Sequence, residues 1–235
     1  EFPVIGAIII VMIVGMVIGS INGIIVAKLN VHPFIATLGM MTIVYGINSL
    51  YYDYVGASPI SGFSKSYSSF AQGYIGTPSF NMSYLIIYAA VATAIMWILW
   101  NKTKFGKNVF AVGGNPEAAK VSGVNVAWTL VKIYALSGMY YAFGGLLEAG
   151  RIGSATNNLG NMYEMDAIAA CVIGGVSFYG GVGKISGVIT GVIILTVINY
   201  GLTYVGVSPY WQYIIKGMII VAAVAFDAIK YSKKK

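Results

Sequence analysis

The sequence predicts an all-α, polytopic helical membrane protein, and three observations carry that expectation. Of 235 residues, 58% are hydrophobic and only 9% are charged, a balance that ordinary soluble domains do not reach. Apolar runs of about 20 residues, the length that crosses a bilayer, recur along the chain. Lysines gather in some of the breaks between those runs and avoid others.

The predicted spans are Phe2 to Ala27, Phe34 to Tyr52, Tyr84 to Trp100, Thr129 to Leu147, Ile185 to Thr203 and Tyr210 to Phe226, about six full transmembrane helices. The first carries Gly15, Gly19 and Gly23 at every fourth position, spacing that lets two helix backbones approach closely where lipid removes the hydrophobic drive. His32 and Pro33 form a tight turn ahead of the second. The third follows an aromatic, Ser-rich loop in which Phe63, Tyr67, Phe70 and Tyr74 recur at helical spacing. That recurrence reads as an amphipathic helix in the membrane interface, with a sugar-stacking platform as the alternative. The run at Ile185 repeats the packing spacing with Gly183, Gly187 and Gly191. It also shares Gly-x-Ile-x-Gly with the first span, for which helix packing is preferred over duplicated halves. The run Ala167 to Phe178 is short and breaks into Gly180, Gly181 and Gly183, so it reads as a short or re-entrant helix.

Orientation follows from the basic residues, since positive loops stay cytoplasmic. Lys102, Lys104, Lys107 and Lys120 lie in the loop 101–128, Lys230 and Lys233 to Lys235 in the tail, and Lys28 and Lys184 at turns. All fall on one side if the short element counts as a crossing, which places the C-terminus in the cytoplasm. The formal net charge of +7 is thus a topology signal and no nucleic-acid patch. Within the spans the basic residues are Lys132 and Lys216, expected to snorkel inward and outward respectively, and no opposite charge is evident to pair with them.

No catalytic set assembles, and the chain is expected not to be an enzyme. His32 is the sole histidine, so zinc chemistry lacks its second imidazole, and no metal site is expected. Cys171, the single cysteine, reads as a small packed residue. Gly180 to Ser186 looks like a phosphate loop but fails, because Phe178 stands where the first glycine is required and Ile185 where Ser or Thr must reach magnesium. Candidates for a translocation path or outer mouth are Asn48, Ser49, Asn157 and Asn158, which offer neutral hydrogen bonds to a polyol. Glu164 and Asp166 join them, as functional mouth carboxylates or as topogenic and capping groups.

Within the basic loop, Asn115 to Gly123 has the complete grammar of a short helix. Asn115 caps it, Pro116 fits its first position, Glu117 suits the dipole and Gly123 stops it. Ala118, Ala119 and Val121 make a small apolar face beside Glu117 and Lys120, and Ser122 precedes the stop. A helix of about two turns is marginal alone in water, so it must pack on its own loop or on a partner.

Gly113 to Gly123 resembles the coupling motif of ABC importer permeases, in which Glu-Ala-Ala is followed after three residues by Gly. Asn30 to Gly39, Tyr51 to Ile60, Glu148 to Ala155 and Ile173 to Phe178 are similar to the ribose, xylose, arabinose and galactose group of that family. The resemblance implies one transmembrane permease domain over 1–235 with a cytoplasmic coupling loop at 101–128. It implies import of a monosaccharide, galactose or a methyl galactoside, across the bacterial inner membrane by alternating access. It also implies several partners: a separate ATPase subunit that holds ATP and magnesium, a periplasmic sugar-binding protein, a second permease chain in a homodimer, and membrane lipid. A secondary transporter or channel for a small polar solute is the alternative. The family has further N-terminal helices, and the opening Glu1-Phe2-Pro3, without Met or a charged leader, suggests a fragment of a longer protein.

Overall fold

A computed structural model describes residues 3–77 and 80–232. Its helices are α1 (Val4–Leu29), α2 (Pro33–Tyr54), α3 (Lys65–Gln72), α4 (Tyr84–Lys102), α5 (Lys104–Gly114), α6 (Pro116–Val121), α7 (Val126–Ile152), α8 (Tyr163–Ile173), α9 (Ile185–Tyr204) and α10 (Pro209–Ser232). Two small antiparallel ladders join β1 (Ile60–Ser61) to β4 (Ser154–Ala155) and β2 (Tyr74–Thr77) to β3 (Phe80–Ser83).

Among the described residues, six helices (α1, α2, α4, α7, α9 and α10) are long and apolar enough to cross a membrane. The short element is α8, whose 11 residues reach about 16 Å, half of a hydrocarbon core of about 30 Å. It begins at Tyr163, earlier than the apolar run, because Met162 turns the backbone into the left-handed region at φ 68. The apolar residues after Ile173 belong to a loop instead.

The chain forms two compact units, residues 1–95 with 124–160 and residues 96–123 with 161–235. In the first, α1 lies along α7. Gly15 faces the Gly138 carbonyl, Gly19 the Tyr134 carbonyl, and a methyl added to Gly23 would stand 2.7 Å from Val131 Cα. Each is a backbone-on-backbone contact that a side chain would wedge apart.

The aromatic helix predicted in the loop before α4 exists as α3, and it is docked on α7. Ala71 is fully buried, the Tyr67 hydroxyl donates to the Leu146 carbonyl, and Gln72 donates to Gly150 O at 2.9 Å. Phe70 stacks on Tyr88 with centroids 4.7 Å apart. Tyr74 lies outside the helix, in β2. Phe63 packs edge-on against Tyr67 and Phe70 is covered by Tyr88, whereas Tyr74 is exposed. Burial pushes the Tyr67 phenol above its ordinary pKa.

In the second unit α8 packs on α9 and α10. Ala169, Ala170 and Leu195 form its small core, with Ile173 and Ile220 against them. Gly187 meets the Gly174 carbonyl and Gly191 the Ala170 carbonyl. Gly183 departs from the predicted packing run. It lies ahead of α9, since Lys184 is still extended at φ -135 and ψ 140, and its open side faces the Val176 side chain at 3.3 Å.

Candidate functional site

The basic loop 101–128 holds two helices where the sequence suggested one. Thr103 caps α5 by accepting from the Gly106 N–H at 3.2 Å. Gly106 lets the turn close against the Leu99 and Trp100 carbonyls, one of them 2.5 Å from an added methyl. Phe105, Val109 and Val112, at i, i+4 and i+7, were the signal for this helix. Val112 is buried.

Asn115 ends α5 and starts α6. Its backbone is extended at φ -156 and ψ 102, and its Oδ1 accepts from the Ala118 N–H at 3.0 Å. Pro116 needs no donor at the first position. At the other end the Ser122 N–H bonds Ala118 O and the Gly123 N–H bonds Lys120 O, each at 3.0 Å. Gly123 sits at φ +83, a left-handed conformation that favours glycine. The Ser122 hydroxyl also donates to Ala118 O at 2.9 Å.

The expected apolar face of α6 is divided. Ala119 turns inward and is 4% exposed, whereas Val121 is 90% exposed and Ala118, Glu117 and Lys120 are exposed with it. One residue anchors α6 to its own loop, and the rest of the helix faces outward.

The loop between α8 and α9 touches this site. Gly180 and Gly181 sit at φ +85 and φ +70, and they abut Gly113 and Gly114 so closely that a methyl on Gly113 would stand 2.7 Å from the Gly181 nitrogen. The glycines that mimic a phosphate loop therefore serve backbone contact. Among the described residues no cluster of potential metal ligands occurs.

The remaining polar candidates divide between the units. In the first, Asn157 donates to Ser49 Oγ at 3.4 Å, while Asn48 and Asn158 are exposed. In the second, Glu164 and Asp166 occupy the first turn of α8, where the helix dipole favours anions. Asp166 is paired: Lys216 Nζ lies 2.7 Å from its Oδ1 and 3.0 Å from its Oδ2. This corrects the expectation that Lys216 has no opposite charge to pair with. The two side chains are 18% and 31% exposed, so the pair is largely sheltered. Sequence reasoning also missed Asn22 in α1 and Asn199 in α9, whose buried Oδ1 atoms lack a hydrogen-bond partner.

The family model described as "Branched-chain amino acid transport system / permease component" matches residues 2–224. The chain belongs to this permease family. The permease is 71% identical to the galactose/methyl galactoside import permease protein of Salmonella typhimurium over 233 residues, which is 99% of this chain and 69% of that protein. It is 70% identical to the protein of the same description from Escherichia coli, with the same coverage. The ribose import permease protein of Bacillus subtilis is 41% identical over 214 residues, 89% of this chain and 63% of that protein. No solved structure matches the permease. The six long apolar helices among its described residues make it a multi-pass membrane protein.

Proposed function

We propose that this chain is the translocating permease of an ATP-driven importer that carries galactose and methyl galactosides across the inner membrane by alternating access. The observation that supports the reading most directly is the capped α6 with its outward Val121, in a chain 71% identical to a galactose/methyl galactoside import permease. On this reading α6 seats in a separate cytoplasmic ATPase, which holds ATP and magnesium while this chain hydrolyses nothing. The C-terminus lies on the same side. A sugar-binding protein delivers the sugar from the other face, and it passes between two copies of the permease.

The Lys216–Asp166 pair favours a second reading, a stand-alone secondary transporter, because sheltered ionisable pairs are the usual material of ion coupling. One experiment separates the two. Proteoliposomes holding the permease, the ATPase and the binding protein should accumulate radiolabelled methyl galactoside only with internal ATP on the ATPase side. Equal uptake without the ATPase, abolished by a protonophore, would establish the secondary transporter and overturn the importer.

A further inference from the structure

The loop joining α8 to α9 is tied by one carboxylate. Asp227 of α10 accepts through Oδ2 from the Ser177 hydroxyl at 2.8 Å and from the Phe178 N–H at 3.0 Å. Ser177 in turn organises the loop: its Oγ accepts from the Tyr179 N–H at 3.2 Å, its carbonyl from the Gly180 N–H at 3.3 Å, and its N–H bonds Val182 O at 3.0 Å. The far side of this knot is Gly180 and Gly181, pressed on Gly113 and Gly114. The next residue is Asn115, which caps α6. Contacts therefore run without a gap from α6 through paired glycine backbones to the loop and on to α10.

That continuity matters because glycine backbone has no side chain that could yield to a push. A displacement of α6 reaches Gly180 and Gly181 undamped, but it moves α10 only if the loop is fastened there. Two charge-assisted bonds on a single oxygen supply the fastening, and bonds to an ionised group exceed neutral ones in strength. Further along α10, Lys216 grips Asp166 of α8, so α10 is joined to the α8 element at two separated points.

We propose that Asp227 is a positioning residue for transport: it clamps the α8–α9 loop to α10 so that movement of α6 is delivered to the membrane helices. The proposal rests on the importer reading above, in which α6 receives that movement from the ATPase. Asp227 contacts neither sugar nor nucleotide in this role, so its removal uncouples the cycle and leaves partner binding intact.

The test uses the complete transporter in proteoliposomes and measures methyl galactoside moved per ATP hydrolysed. Asp227→Ala should lower that ratio about tenfold or more, since the loss of even one charge-assisted bond of ordinary strength corresponds to a change of that size, with co-purification of the ATPase unchanged. Asp227→Asn, which keeps an acceptor oxygen in place, should retain most of the ratio. Ser177→Ala should fall between, and adding it to Asp227→Ala should cost nothing more. A wild-type ratio in both Asp227→Ala and Ser177→Ala overturns the clamp. If Asp227→Ala does not assemble, Ser177→Ala decides alone, a lowered ratio supporting the clamp and an unchanged one refuting it. Wild-type vesicles that move sugar without ATP would overturn the importer and the clamp together, whereas normal wild-type coupling with unaffected variants overturns only the clamp.

Discussion

Gly19 is one of the tightest positions for an added side chain in the first unit, matched by Gly138 across the same seam. An added Cβ would lie 2.9 Å from the Tyr134 carbonyl carbon and 3.2 Å from Gly138 Cα, and nearer still to the Tyr134 oxygen. Carbon atoms settle about 3.5–4.0 Å apart, so α1 and α7 must separate by roughly half to one ångström at this crossing. A gap of that order forfeits about a quarter to a half of each dispersion contact along the seam. The opposing atoms are backbone and cannot rotate away, so Gly19→Val should cost about 1–3 kcal/mol, the usual range for overpacking. For a chain of this length that is a fall in Tm of about 2–12 °C.

Thermal unfolding of the detergent-solubilised chain, followed by far-ultraviolet circular dichroism, measures it. Gly46→Ala in α2 is the control, because nothing stands within 4 Å of an added methyl there. It should leave Tm unchanged or raise it, since alanine lowers the chain entropy lost on folding. A Gly19→Val variant that melts with the wild type, or an equal loss in Gly46→Ala, would refute close backbone packing as the source of the α1–α7 contact.

Asp166→Ala leaves Lys216 sheltered without its partner. Because the pair is partly exposed, the loss should be about 1–3 kcal/mol, below the range for fully buried pairs, and the exchange Asp166→Lys with Lys216→Asp should recover part of it in the same melting assay. Asn115→Ala removes the cap of α6 at about 1 kcal/mol; Asn115→Asp should keep ATPase binding near wild type where the alanine variant weakens it, as read by co-purification. Val121→Glu should leave Tm unaltered, the side chain being 90% exposed, yet weaken ATPase binding roughly tenfold or more, as expected for losing a buried valine from an interface. Equal binding by the Val121 variant would remove α6 as the docking element.

The spans were legible because a bilayer imposes a length and a composition at once, and α1, α2, α4, α7, α9 and α10 each carry both. The caps of α6 were legible because they are local: Asn115, Pro116 and Gly123 act within a few positions of themselves. What the sequence concealed is what joins distant positions. Asp166 and Lys216 stand 50 residues apart, and Asn157 and Ser49 stand 108 apart, so no periodicity could connect them. The orientation of α6 was misread for a related reason. Ala119 and Val121 are both apolar, and it is the packing of α6 on α5 that turns the smaller one inward.

The glycine run at 180–183 shows how one composition serves two physical needs. A phosphate loop needs glycine so that backbone N–H groups can close around an anion, and it needs a Lys-Ser or Lys-Thr pair to finish the site. This chain has Lys184 followed by Ile185, and the loop closes on protein. Positive φ at Gly180 and Gly181, together with the approach of Gly113 and Gly114, accounts for glycine at each of those positions without a ligand. Close approach of two backbones is the same requirement that places Gly15, Gly19 and Gly23 on α7. A glycine-rich turn between membrane helices is therefore better read first as a seat for another stretch of chain. Here that stretch is the end of α5, which puts the loop in line with α6 and makes its attachment to Asp227 a matter of function.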